Sequence, residues 1–388
     1  MLTLVAFEMK KFLNRKKNLV IILLFMSILF IFVGLNASIE SQMKVSEISS
    51  IEDQIKSIEN ALIGIDDEIE KLPNNNDIVY IKKSYTEDME TLKKQKEAYK
   101  ENDAFTYLKF KLKLDKKLLS DIQSQKVISG KDPEEIKMDI KINSILLKKK
   151  IQPIYDKVSM KGYNFIKIVL NSPLTLTMMI VVIMLSADII SSEIEFNTYK
   201  LLYTQPISKN SILFSKAIAV TIVVNVIIFS IITLFFFILG IKNGFGDLNY
   251  PTQFFVNGKL QFVTIGEYIV FELIMLLLVN TFICILSTFI SIFCSNIGTS
   301  ISITLIISVS LYMIINQGFI SKIAPLIPIT YIDISNILQG NMIKISQNIN
   351  VFNGIKVLCI SILMLLFTGI VFFQKECILK VKKDTSKI

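Results

Sequence analysis

The sequence predicts an all-α membrane protein. It has six transmembrane helices, an interfacial helix at the N-terminus and an extracellular α-helical hairpin or small bundle inserted between spans 1 and 2. Three observations carry this. Of the 388 residues, 52% are hydrophobic and 19% charged, against roughly 45–50% and about 25% in soluble domains. The charge is gathered in residues 38–172, which hold 24 Lys and 23 acids. Six apolar runs reach or approach the ~20 helical residues needed to cross a hydrocarbon core about 30 Å thick. This pattern excludes both an ordinary soluble enzyme and a disordered chain.

Residues 1–18 read as an amphipathic helix lying in the cytoplasmic interface. Leu2, Val5, Ala6, Met9, Phe12 and Leu13 share one face, with Thr3, Lys10, Asn14 and Lys17 opposite. The bland alternative is a generic basic flank. Span 1 occupies 19–37, with its apolar core at Leu19–Leu35. That core exceeds the ~7–15 residues of a signal-peptide h-region, and no small-x-small cleavage site follows, so it reads as an uncleaved anchor.

The insert, 38–172, opens with heptads. Ile48, Ile51, Ile55, Ile58, Leu62, Ile65, Ile69 and Leu72 alternate steps of three and four, with charged residues between them. One long helix with a single apolar seam follows. The seam packs either within the chain or on a second subunit. Pro73 and Asn74 to Asn76 break the helix. A second Lys/Glu-rich stretch covers about 85–124, with Met89, Leu92 and Tyr99 as its seam; Leu108, Phe110, Leu112 and Leu114 alternate and suggest a short strand. Asp132-Pro133-Glu134-Glu135 supplies a cap, a first-turn proline and first-turn acids, and so begins a helix. A further helix returns to the membrane near Tyr163. The insert has no Cys and is not a disulfide scaffold.

Span 2 is 173–190, a connecting loop fills 191–216, and spans 3 to 6 fill 217–374. The apolar cores are Leu174–Ile190, Ala217–Leu239, Ile269–Phe293, Ile301–Ile315 and Val357–Phe373. A basic tail, 375–388, closes the chain. With the N-terminus inside, the inner segments hold thirteen Lys or Arg and the two shorter outer loops hold five. Basic residues favour the cytoplasmic face, and an insert this long does not vote. Both termini are therefore expected in the cytoplasm and the insert outside, in a multi-pass protein of a bacterial plasma membrane. The net charge of +9 arises in these flanks, because the insert is nearly neutral. A nucleic-acid partner is not expected; the lipid bilayer is. The single arginine, Arg15, among 42 basic residues reads as compositional bias.

Sites of chemistry are scarce. The chain has no His, which removes the commonest metal ligand and general base. No phosphate-binding G-x-x-x-x-G-K-S/T loop is present, nor any G-x-G-x-x-G, H-E-x-x-H or G-x-S-x-G motif. Cys284, Cys294, Cys359 and Cys377 lie in or beside apolar runs without metal-site spacing. No catalytic residue, metal site or directly bound cofactor is expected. The intramembrane polar residues of interest are Asn225, Asn280 and Glu272. The two amides are deep enough for interhelical hydrogen bonds. Asp188, Glu267 and Glu272 stand near span ends, facing either the interface or the bundle interior.

The loop 191–216 carries the informative motif. Glu193 or Glu195, Thr198, Leu201, Leu202, Pro206, Ile207, Ser208, Ile212, Leu213 and Lys216 match the pattern E-x-x-x-G-T, L-L-x-x-P-I-S-R, I-L-x-x-K. In this the chain resembles the permease subunits of ABC-type exporters of the second structural class, the ABC-2 permease family, in its large-ectodomain subgroup. Asn197 stands where the family has Gly, a mild change because Asn tolerates positive φ. Lys209 replaces Arg and loses the planar fork. The resemblance implies a permease that pairs with a second permease, itself or a homologue, and with two separate ATPase subunits that bind ATP and Mg. It implies that the loop forms a coupling helix seated in an ATPase groove, through Glu193, Glu195, Phe196, Thr198, Leu201, Leu202, Pro206 and Lys209. Glu193 and Glu195 have a simpler reading as helix-capping acids, and the apolar residues a simpler one as lipid-facing. The resemblance further implies short re-entrant helices on the outer side near 317–355, where Pro325 and Pro328 cut an apolar run.

The function this implies is ATP-driven outward movement of a drug, antimicrobial peptide, lipid-like molecule or ion. The alternative is a non-transporting membrane sensor or scaffold with a helical ectodomain. A proton- or sodium-coupled carrier is disfavoured, since neither internal repeats nor broken spans with a polar midplane are evident.

Overall fold

The computed structural model describes residues 1–71, 75–125, 130, 132–154, 158–171, 174–203, 206–256 and 259–385. The expected helix break at Pro73 and Asn74, and Leu72 of the heptad seam, lie outside the described residues. So do the side chains beyond Lys375, including Cys377.

In chain order, α1 (Leu2–Leu13) precedes the long α2 (Lys16–Lys71). Three polar helices follow: α3 (Asn76–Lys100), α4 (Ala104–Gln123) and α5 (Pro133–Lys149). Then come α6 (Gly162–Val169), α7 (Leu174–Ser186), α8 (Ser191–Glu195), α9 (Tyr199–Tyr203) and α10 (Lys209–Asn243). A two-stranded sheet of β1 (Pro251–Val256) and β2 (Lys259–Thr264) leads into α11 (Ile265–Phe293) and α12 (Ile297–Asn316). The 3-10 turns Ala324–Leu326 and Pro328–Ile332, α13 (Ile334–Leu338) and α14 (Val351–Thr385) complete the chain. The small sheet is an addition to the all-α expectation.

Among the described residues, six helices are long and apolar enough to cross a membrane: Lys16–Lys71, Leu174–Glu195, Lys209–Asn243, Ile265–Phe293, Ile297–Asn316 and Val351–Lys375. They coincide with the six apolar runs, and the protein is an all-α, multi-pass membrane protein. Helices that are apolar all round suit lipid, where every backbone polar group must be satisfied within the segment.

The chain divides into two compact units. The first comprises Met1–Phe32, Lys161–Gly246 and Thr252–Ile388. Its hub is α11, which packs on α6, α7, α10, α12, α13 and α14. The apolar window of α7 is 78% buried, that of α14 only 11%, so α7 is a core helix and α14 turns its apolar surface outward. Gly354 lets α14 close on the hub, because a Cβ there would stand 2.6 Å from the Tyr331 ring and 3.0 Å from Met275. Glu267 is settled as a cap: it and Thr264 form a reciprocal capping box at the start of α11. The segment after α12 runs as short turns tied to themselves, with Tyr331 Oη donating to the Pro325 carbonyl at 2.7 Å. The sequence assigns α6 to the insert, 38–172; the structure places it in the first unit. Its Phe165 is fully buried and stacks on Phe235 of α10, centroids 6.1 Å apart.

The second unit is Val33–Met160 with Asp247–Pro251. Ile51 and Ile55 of the heptad seam are buried with Leu92, Ala98, Tyr107, Leu108, Leu146 and Ile151, and Ile58, Met89 and Tyr99 pack against them. The seam thus finds its partners within the chain over 51–58, while Leu62, Ile65 and Ile69 are half-buried. Pairs such as Lys82–Asp66 at 2.6 Å and Lys96–Glu52 at 2.7 Å bridge α3 to α2; exposed as they are, they fix register more than they stabilise. Tyr107 Oη donates to Glu47 Oε1 at 2.5 Å, and burial, reinforced by the Glu47 charge, pushes its phenol up. Asp132 caps α5 as expected, accepting from Glu134 N at 3.0 Å. The strand expected over Leu108–Leu114 is instead part of α4. Its alternation spans only four apolar residues, whereas Tyr107, Leu108, Leu114 and Leu118 keep helical spacing and Asp103 caps the start.

Ile55→Ala in the full chain should cost about 2–5 kcal/mol of this unit's stability. Hydrogen exchange should accelerate across α3 and α4 and stay unchanged in α7 and α11; unchanged exchange in α3 and α4 would remove the seam from the core.

Candidate functional site

The residues of the 191–216 motif meet α1 at one end of the first unit. α1 buries Val5, Glu8 and Phe12, one stripe at helical spacing, against α10. Leu2 and Leu13, on the apolar face read from the sequence, are exposed, and the face that docks on α10 carries an acid. Asn14 ends α1 and Arg15 leads into α2, with Asn18 Nδ2 donating to the Phe12 carbonyl at 2.9 Å to fix the bend.

Glu8 tolerates burial because Lys216, two turns into α10, reaches it. Lys216 is 1% exposed; its Nζ lies 2.7 Å from Glu8 Oε1 and 2.5 Å from Glu193 Oε1. Lys11 Nζ reaches the same Glu193 oxygen at 2.5 Å. One turn of chain earlier, Asp188 Oδ2 accepts from Arg15 Nη1 at 3.0 Å and pairs with Lys17 at 2.6 Å. The other arm of the Arg15 fork donates to Ser192 Oγ at 3.0 Å. Three acids and four bases from α1, the start of α2, the α7–α8 corner, α8 and α10 therefore form one ionic clasp, with the acids and Lys216 buried and Lys11, Arg15 and Lys17 half-buried.

The chain's single arginine reaches Asp188 and Ser192 through two separate nitrogens of its planar fork, where Lys would offer one. Compositional bias does not account for that placement. Asp188 is an interior residue, not an interfacial one. Glu193 is held by ion pairs, not by capping; the α8 N–H groups of Ile190 and Ser191 are satisfied instead by Ser291 Oγ, at 3.3 and 2.8 Å.

Of the rest of the motif, residues 195–198 and 206–208 are exposed, while Ile212 and Leu213 are buried on α10. Glu195 accepts from Ile297 N at 2.7 Å, placing a carboxylate on the N-terminus of α12, where the helix dipole favours it. Asn197 takes φ 57° and breaks the segment into α8 and α9. Thr198 Oγ1 donates to the Glu193 carbonyl at 3.4 Å. Phe196 and Leu201 are 68% and 72% exposed, while Tyr199 is buried. The Leu202 side chain lies outside the described residues. Pro206 is exposed before Ser208, which caps α10 through Ser211 N at 3.3 Å; Lys209 is the first residue of that helix.

The intramembrane residues are not part of this cluster. Asn280 Nδ2 donates to Asn225 Oδ1 at 3.4 Å, an interhelical bond between α11 and α10, and Asn225 Nδ2 donates to the Thr221 carbonyl at 2.9 Å. Glu272 stands apart, fully buried on α11.

Sequence reading overlooked Glu8, Lys11, Arg15 and Asp188 as parts of a site and used Lys216 only as a motif match. One signal was available: Glu8 is the only acid before Glu40 and interrupts an apolar stripe. Among the described residues no group of three or more acids or cysteines is placed to hold a metal.

The family model described as ABC-2 family transporter protein matches residues 2–377. No curated protein and no solved structure matches the chain.

Arg15→Lys should keep the Asp188 pair and lose the Ser192 contact, a charged hydrogen bond worth about 1.5–3 kcal/mol. Amide exchange in α8 should rise roughly tenfold or more while α10 stays protected. Unchanged α8 exchange would show that the fork does not hold it.

Proposed function

The chain belongs to the ABC-2 family of transporter proteins, and on that premise we propose that it is the permease subunit of an ATP-driven exporter. It pairs with a second permease, a copy of itself or a homologue, and with two ATPase subunits that supply the bound ATP and Mg. The end carrying α1, α8 and α9 faces the cytoplasm, as the Lys/Arg bias favours. The helical second unit and the short turns near 317–355, re-entrant in this reading, face outside. The cargo moves outward and is a drug, an antimicrobial peptide, a lipid-like molecule or an ion.

The observation that carries the reading is the exposure of Phe196 and Leu201 on either side of the Asn197 kink, directly beside the clasp. Two large apolar side chains on a five-residue helix and its neighbouring turn have no burial of their own. A groove on an ATPase gives them one. A push received there passes through Glu193 to Lys216 at the root of α10 and to Lys11 on α1. Through Glu195 it reaches the start of α12.

Leu201→Asp and Phe196→Asp should insert normally and weaken ATPase capture. Loss of a buried interface anchor costs about 2 kcal/mol or more, roughly thirtyfold in affinity. Co-purification with the ATPase and substrate-stimulated hydrolysis should fall together. Wild-type values in both assays for both variants would place the ATPase contact elsewhere.

A further inference from the structure

Glu272 belongs neither to the clasp nor to a helix cap. It is the eighth residue of α11, is 0% exposed, and neither carboxylate oxygen has a hydrogen-bond partner among the described residues. A carboxyl group so placed within a span is costly to keep and marks a site by default. One turn earlier on the same helix, Tyr268 is also fully buried, with its hydroxyl 3.4 Å from Ser335 Oγ of α13. Ser335 Oγ in turn accepts from Gln339 Nε2 at 2.8 Å. The ammonium of Lys167, on α6, lies 5.7 Å from the centroid of the Tyr268 ring, and its charge acts on Glu272. It does so without hydrogen-bonding the carboxylate, since both oxygens are unpartnered.

These groups select a ligand class. A hard divalent cation requires six or more oxygen ligands, and one carboxylate with the Tyr268 and Ser335 hydroxyls falls short of that. A primary ammonium is attracted by an aromatic face and donates to acceptor oxygens, and Tyr268 and the unpartnered Glu272 carboxyl supply both. Lys167 demonstrates the fit, because it already sets an alkylammonium over the Tyr268 ring. The elements bringing Lys167 and Ser335 to α11 are short helices of eight and five residues, shorter than the spans they pack against.

We propose that Tyr268 and Glu272 form a binding site for the ammonium group of a cationic amphiphile, and that Lys167 is its built-in competitor, occupying the ring face until the ligand displaces it. This rests on the exporter reading for its role as a cargo site, but the binding itself requires no ATPase.

The test is equilibrium dialysis of labelled n-octylammonium against the full chain in zwitterionic nanodiscs, with empty nanodiscs subtracted and n-octanol as the uncharged control. The expected result is saturable binding of octylammonium and not of octanol. Affinity should rise about tenfold in Lys167→Met and fall at least tenfold in Glu272→Gln. Equal binding by the wild type and Glu272→Gln would overturn the proposal. If Glu272→Gln does not fold, Lys167→Met decides alone: unchanged or weaker binding there overturns the proposal as well. Loss of ATPase coupling in Leu201→Asp does not bear on this measurement, so the two readings fail separately.

Discussion

Lys216 is an ammonium with almost no access to solvent, held between two carboxylates that arrive from different parts of the chain. The positions of α1 and α8 both depend on it. A helix of five residues is far below the length that is stable alone, so α8 keeps its place only through what grips it: Lys216 and Lys11 on Glu193, Arg15 on Ser192, and Ser291 on its first amides. Replacing such a cluster with well-packed apolar residues is often neutral or stabilising, whereas removing one partner costs about 3–5 kcal/mol. Stability alone therefore does not explain the clasp. What it confers is registry: α1, the α7–α8 corner and the root of α10 hold one relative arrangement, and displacement of one displaces all.

The same economy governs the spans. Lipid offers no partner for a polar group, so many of them find one within the bundle. Asn225 and Asn280 answer each other across α10 and α11. Ser300 Oγ on α12 donates to the Ala187 carbonyl. Ser186, Thr288 and Thr304 fold back onto carbonyls of their own helices. Glu272 differs in that neither oxygen of its carboxyl group has a partner among the described residues.

The spans were legible because hydropathy is a property of a window and survives ignorance of the neighbours. The Ile51–Ile58 seam was legible because its period is local, and the α5 start because Asp132 and Pro133 act within one turn. The positive φ at Asn197 followed from the motif alone. The clasp was not legible. Glu8 and Lys216 are 208 residues apart and Lys11 and Glu193 are 182 apart, and no local pattern encodes such a pairing. Arg15 looked like bias because its partners, Asp188 and Ser192, were unknown. The α4 error has the opposite cause: four alternating residues fit a strand equally well until Asp103 and the neighbouring helices select the helical period. The short β1–β2 sheet left no signal strong enough to separate it from a polar loop.

The central claim, that Glu8 and Lys216 act as one buried pair locking α1 to α10, is tested most directly by a double-mutant cycle on equilibrium unfolding in mixed micelles. The variants are Glu8→Gln, Lys216→Met and the two combined. The account predicts strong non-additivity: the double variant should be more stable than the sum of the singles by about 1–3 kcal/mol, because the second change removes a charge that the first left stranded. Additivity to within about 0.5 kcal/mol would mean that the two side chains do not interact energetically, and the clasp would not be what holds α1 in place.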